Sequence, residues 1–209
     1  MPHDAKKEIR SAMRRRLAAL TDAQREAGAG DVFAQIEAME AFARARTVAL
    51  YNALPGEIPT AAVIGRWRAE GKRIVLPCVE GGEMIFRNID DRGMREGCFG
   101  IGEPCGQAAD PSEIDLMIVP GVAFDRSGHR LGRGKGFYDR FLAQCAAGQN
   151  AKSLNTNELG LERHDTAGHY IYKIGVCYPF QLVDSLPREP HDQPVDAVIT
   201  CDIKQYGGS

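Results

Sequence analysis

The chain has no two cysteines standing two to four residues apart. Its six cysteines fall at positions 78, 98, 105, 145, 177 and 201, which excludes a thiolate zinc knuckle and a CxxC redox pair. Several sit in apolar runs, Cys177 in IGVCY and Cys201 after VIT. A thiol there behaves as a small core hydrophobe, and a reducing, cytoplasmic setting is expected. Long apolar runs are missing too, and the start of the chain carries no apolar signal region, so no membrane association is expected. The basic opening KKEIRSAMRRRLAAL contains Glu8 and keeps a helical period, which sets it apart from a transit peptide. Charge of one sign is not in excess: 26 basic and 28 acidic side chains leave a net charge of −2. A general nucleic-acid or membrane-surface binder concentrates positive charge, so neither partner is expected, and any basic cluster must be local. Two familiar phosphate signatures are absent as well. There is no G-x-x-x-x-G-K-[ST], and no acid-terminated strand follows a glycine turn to hold a ribose.

What is present centres on Asp115 to Leu142, DLMIVPGVAFDRSGHRLGRGKGFYDRFL. The apolar run Leu116 to Val119 meets Pro-Gly, a polar loop follows, and Gly132, Gly134 and Gly136 lead into an amphipathic segment. This order predicts a buried strand, a long loop, a glycine-rich turn and a helix. Glycines let the backbone approach an anion, and the first turn of a helix offers unpaired N–H groups, so the segment forms an anion cradle. Arg130, Arg133 and Lys135 alternate with the glycines and can fold over a polyphosphate. Asp139, one turn into the helix, offers a hard oxygen to a magnesium ion bridging such phosphates.

The size and the 44% hydrophobic content of the 209 residues predict one α/β domain with one sizeable core. Ile9, Met13, Leu17 and Leu20 give an amphipathic helix from about Asp4 to Leu20. At 100° per residue, Lys6 and Arg10 lie roughly 20° and 60° from the centre of its apolar stripe. Periodicity alone favours snorkelling of both, with heads in water, over cations aimed at a ligand. Thr21 and Gln24 form a capping box for a second helix reaching Ala43. A strand follows from Thr47 to Leu54, then the turn PGEIPT, with Thr60 placed to cap a helix over Ala61 to Glu70. Glu57 lies in that strand-to-helix turn, where α/β folds bind ligands, although a solvated turn acid is the simpler reading. RIVLPCV and GEMIFRNI read as strands, Asp90 to Pro111 as a long loop, and Gly148 to His169 as an exposed excursion. After the strand IYKIGVCY, the Pro-rich loop PHDQPVD sets Asp192 just before the strand VDAVIT. A second acid there could complete a magnesium site with Asp139, and spacing leaves open whether the two meet.

These residues resemble the 5-formyltetrahydrofolate cyclo-ligases, also called 5,10-methenyltetrahydrofolate synthetases. The likeness runs through Lys6-x-x-x-Arg10, PGEIPT, GIGEP, VPGVAFDRSGHRLGRGKGFYDRFL and IGVCYPFQ...LPREPHDQPVDAVIT, nearly the whole chain. It implies a single Rossmann-like domain, three layers (α/β/α) around a mainly parallel sheet. It also implies an ATP- and magnesium-dependent closure of 5-formyltetrahydrofolate to 5,10-methenyltetrahydrofolate, with ADP and phosphate released through a phosphorylated formyl intermediate.

Carried onto this sequence, Lys6 and Arg10 become ATP ligands together with Arg130, Leu131, Gly132, Arg133, Gly134, Lys135, Gly136, Phe137 and Tyr138. Arg130, Arg133 and Lys135 become the groups acting on the transferring phosphoryl. Glu57, Tyr51, Leu54 and the stretch Arg133 to Phe137 face the folate. Asp139 and Asp192 become the magnesium ligands. Small-molecule substrates are the implied partners, and a monomer or weak dimer is expected. Phe137 stands where many relatives carry tyrosine, and the 148–169 segment is longer than the family pattern.

Overall fold

The computed structural model describes residues 2–97, 100–145, 170–189 and 192–202. The expected 148–169 excursion lies outside the described residues. A six-stranded sheet runs in the order β11-β9-β6-β1-β2-β3. Its strands are β1 (Thr47–Ala49), β2 (Arg73–Glu80), β3 (Glu83–Asn88), β6 (Leu116–Pro120), β9 (Tyr172–Cys177) and β11 (Ala197–Thr200). All neighbours are parallel except the β2–β3 hairpin. Side chains alternate across it as the pleat requires. Val48, Leu116, Ile118, Ile174 and Val176 point into one core, and Ala49, Met117, Val119 and Cys177 into the other.

Helices cover both faces, as the expected three layers require. On one face lie α2 (Asp22–Glu37), α3 (Glu40–Arg44) and α4 (Ala61–Ala69), whose Val32, Phe33, Ile36, Phe42, Val63 and Trp67 fill the first core. The other face is covered by the helical residues 137–145, here α5, through Phe141 and Leu142. The α1 helix (Pro2–Ala18) packs elsewhere: Met13 joins Ala123, Leu131 and Leu186 on a small sheet made of β7 (Ala123–Asp125), β8 (Arg130–Leu131) and β10 (Leu182–Val183).

Three expectations shift. The second helix breaks at Met39, whose extended backbone (φ −81°, ψ 141°) starts α3 as a separate turn. The break sets Phe42 against Trp67, 4.6 Å between ring centroids, and brings the α3 carbonyls over Lys72, whose Nζ donates to the Phe42 and Ala45 carbonyls at 2.7 Å. The first strand is ladder-paired only over Thr47–Ala49, because beyond Leu50 the PGEIPT turn takes the chain's hydrogen bonds: Thr60 Oγ1 donates to the Tyr51 carbonyl at 2.6 Å. The loops were also less empty than composition suggests. Residues 90–111 contain a hairpin of β4 (Met94–Glu96) and β5 (Gly102–Pro104), and the polar stretch after Pro120 contains β7 and β8.

Candidate functional site

The carboxyl ends of β1 and β6, the small sheet, the glycine loop and α1 enclose a cavity of about 550 Å³. The β7–β8 hairpin carries the first cation into it. Gly128 makes this hairpin's turn at φ +81°, and a Cβ there would stand 2.3 Å from the Val195 carbonyl oxygen. Glycine is therefore needed where the hairpin meets the approach to β11. Arg130 follows at the strand end, almost fully buried. Its Nη2 donates to Asp139 Oδ1 at 2.9 Å, its guanidinium lies 5.3 Å from the Tyr138 ring centroid, and its Nε is buried without a hydrogen-bond partner among the described residues. Leu131 belongs to the small core with Met13 and Leu186, so it serves the site through backbone position.

The glycine loop then turns into α5. Gly134 (φ +99°) and Gly136 (φ +68°) both occupy the left-handed region that side chains disfavour. The Gly136 carbonyl accepts from Arg140 N, so α5 begins here, within the cavity lining, and its first amides lack partners inside the helix. Arg140 Nη1 braces the loop from below by donating to the Lys135 carbonyl at 2.9 Å. Lys135 itself is exposed at the rim. Phe137 and Tyr138 supply aromatic wall, and the Tyr138 hydroxyl is buried with no partner among the described residues. Burial raises its pKa well above the ordinary value, so the phenol stays protonated as a donor.

The first helix reaches this loop from across the cavity. Arg10 Nε donates to the Gly132 carbonyl at 2.9 Å. Lys6 does not snorkel: it is only 7% exposed, and its Nζ donates at 3.0 Å to both Glu189 Oε2 and Asp192 Oδ2. Burial by itself would pull the Lys6 ammonium down, but the hydrogen bonds and charges of Glu189 and Asp192 outweigh it and raise its pKa. Asp139 and Asp192 both line the cavity, and Asp139 Oδ1 accepts from the amide of Gln193, the residue after Asp192, at 3.5 Å. Among the described residues no group of three or more His, Cys, Asp or Glu is placed to hold a metal unaided.

Glu57 is not a solvated acid either. Gly56 turns at φ +89°, which folds the Glu57 side chain back until only 10% of it is exposed. Its Oε2 accepts from Leu54 N at 2.9 Å and its Oε1 from Arg133 Nε at 3.0 Å, while Arg133 Nη2 donates to the Pro55 carbonyl. Leu54 thus contributes its amide to holding Glu57. The Tyr51 hydroxyl donates to the Ile58 carbonyl at 2.9 Å, so it fixes the turn and leaves only its ring to the cavity.

Sequence reasoning missed the far wall. Pro77 and Val79 of β2, Met84 of β3 and Ile101 give it an apolar lining, with Asn52 and Glu103 at its edge. Glu103 is buried and accepts from Val79 N at 3.2 Å. Its signal was the GIGEP string, legible only as part of a family pattern. Glu189 was missed likewise, although it stands three residues before Asp192 in the same block.

Cations from α1, β8 and the glycine loop around an apolar-walled cavity define the class: an α/β protein with a small-molecule site suited to an anionic ligand. The family model described as the 5-formyltetrahydrofolate cyclo-ligase family matches residues 2–201. The 5-formyltetrahydrofolate cyclo-ligase of Escherichia coli strain K12 is 33% identical, over 90% of this chain and 96% of that protein. The probable 5-formyltetrahydrofolate cyclo-ligase of Schizosaccharomyces pombe is 27% identical over 93% and 94%. The solved 5,10-methenyltetrahydrofolate synthetase of Aquifex aeolicus is similar in structure, with a TM-score of 0.73 and 31% identity over 93% of this chain and 88% of that one. The chain belongs to the 5-formyltetrahydrofolate cyclo-ligase family.

Proposed function

We propose that this protein converts 5-formyltetrahydrofolate and ATP to 5,10-methenyltetrahydrofolate, ADP and phosphate. The observation that carries this reading is that one cavity is lined both by the cations Lys6, Arg10, Arg130, Arg133 and Lys135 and by the apolar Pro77, Val79, Met84 and Ile101, which suits a polyphosphate beside a flat, weakly polar ring system. The formyl oxygen of the substrate is a poor leaving group as it stands. Its attack on the terminal phosphorus expels ADP and makes it a phosphate ester; N10 then attacks the formyl carbon, phosphate departs, and N10 gives up its proton. Such a reaction asks a protein mainly for positioning and charge neutralisation.

Each residue has a part in that scheme. The α5 amides, Gly134 and Gly136 cradle phosphate oxygens, and the buried Arg130 Nε and Tyr138 hydroxyl, without partners among the described residues, are donors that a bound anion would satisfy. Arg10, Arg133 and Lys135 neutralise the moving phosphoryl group. Asp139 and Asp192 fit a magnesium ion, because magnesium is held by one or two carboxylates with substrate phosphates and water rather than by a protein cage. When bound, it would neutralise phosphate charge. Glu57, held by Leu54 N, presents a carboxylate to the donor groups of a pterin, and the Phe137 ring offers a stacking face. A soluble cytoplasmic protein, monomeric or weakly dimeric, accords with this role, and no helix among the described residues is long and apolar enough to cross a membrane.

The test is an absorbance time course with purified protein, 5-formyltetrahydrofolate, ATP and magnesium, following the conjugated methenyl product, with each component omitted in turn. Product requiring both ATP and magnesium is expected. ATP consumption without product would replace the reading with a kinase or phosphohydrolase acting on another acceptor.

A further inference from the structure

Both acids assigned to the metal already hold a cation from the phosphate-binding set. Asp139 accepts from Arg130 at 2.9 Å, and Asp192 accepts from Lys6 at 3.0 Å. The second pair differs in that Lys6 bridges to another carboxylate, Glu189, at the same distance. The Glu189 amide also donates to Asp192 Oδ2 at 2.8 Å, so the two acids and the ammonium form one closed group. Two carboxylates brought together on a half-buried turn repel and lose hydration unless a positive charge neutralises them. Lys6, with 9% of its side chain exposed, supplies that charge from 186 residues away in the chain. Glu189 is the more exposed of the two acids, 46% of its side chain against 15% for Asp192. It can therefore keep the ammonium at the rim when Asp192 is engaged elsewhere.

We propose that Lys6 is a placeholder cation in the magnesium site: it neutralises Asp192 while the site is empty and moves to the nucleotide phosphates, tethered by Glu189, when Asp192 takes up the metal. The inference rests on the reading of Asp192 as a metal ligand. Its consequence is reciprocal dependence. A metal ion arriving alone must displace an ammonium, and a nucleotide arriving alone must draw Lys6 from two carboxylates. Arriving together, each supplies the charge that the other's partner loses. Glu189 thereby becomes a positioning residue, holding the lysine through the exchange without touching the reacting atoms.

The experiment is Mn²⁺ binding without nucleotide, read from the spin-resonance signal of the free ion, on the full chain and on Lys6→Met. The variant is expected to bind Mn²⁺ on the order of 10-fold tighter, within the usual range of site-to-site coupling. Adding Asp192→Asn should abolish the gain. Unchanged or weaker Mn²⁺ binding by a folded Lys6→Met protein overturns the proposal, as does a gain that survives Asp192→Asn. Should Lys6→Met fail to fold, Glu189→Gln decides: calorimetry with ATP and a chelator is expected to show several-fold tighter binding of the metal-free nucleotide, since one carboxylate then competes for Lys6 instead of two. No tightening overturns it. None of these measurements uses turnover, so the methenyl time course can fail or succeed independently of them.

Discussion

Lys135 stands between two left-handed glycines on the rim of the cavity, exposed to solvent, with its backbone carbonyl fixed by Arg140 and its ammonium left to move. On the proposed reading, a cation so placed would act on charge that develops during transfer more than on the resting substrate. Lys135→Ala is expected to lower kcat by on the order of 10-fold, less than the loss of a preorganised donor would, with the KM for the folate nearly unchanged. Steady-state kinetics check this, and equal losses in both would reduce Lys135 to a binding contact. Gly134→Ala forces a Cβ into φ +99° and should cost about 1–2 kcal/mol in thermal unfolding while raising the KM for ATP. Unaltered melting and kinetics would show that the loop does not need this conformation. The loop was legible in the sequence because glycines, cations and Asp139 are adjacent there and their chemistry is local. The roles of Lys6 and Glu57 were not legible from pattern. Lys6 finds its partners 183 and 186 residues away, and Glu57 is held in part by Arg133, 76 residues further along.

At the scale of the elements, the same division holds. The α1 stripe and the Thr21–Gln24 capping box form as local rules dictate, with Gln24 N donating to Thr21 Oγ1 at 3.2 Å. The hairpins of β4–β5 and β7–β8 were hidden, because their strands are two or three residues long and draw stability from neighbours that a window on the sequence cannot see. Thr60 illustrates the competition. Local rules make it a helix cap, yet its buried hydroxyl donates instead to the Tyr51 carbonyl, locking the β1 exit to the start of α4. Thr60→Val keeps the shape but leaves that carbonyl unpaired. It is expected to lose about 1–3 kcal/mol in denaturant unfolding. Thr60→Ser should stay close to the parent, and equal stability of both variants would show that the bond carries no weight.

For the whole molecule, two buried ion groups contribute to the pH dependence of stability from opposite sides. Burial by itself would raise the Asp125 carboxyl, but hydrogen bonds from His129, Leu186 and Ser127 hold it below its ordinary 3.8. Stability from this group is present above that ordinary value and is lost as the pH falls through the depressed one. Lys6 has the opposite sign: its pKa is raised above the ordinary 10.5, so its contribution is complete below that value and is lost as the pH climbs through the raised one. Melting temperature against pH is expected to show a plateau that falls off on the acid side below about 4 and on the alkaline side above about 10. Asp125→Asn should lower the plateau and flatten the acid limb, and an acid limb of unchanged steepness would remove Asp125 as its source.

The bond between Lys6 and Asp192 also orders events in time. The sheet places β6 and β1 at its centre and β11, residues 197–200, at an edge, while contact between the first helix and the turn before that last strand closes the site. Contacts of such sequence separation form late and only as a group. On the ribosome, Lys6 emerges early and waits for most of the polypeptide before its partner exists. A chain released before residue 192 therefore lacks both the Asp192 carboxylate and β11, and the contact that ties the first helix to this turn is completed only when nearly the whole polypeptide is present.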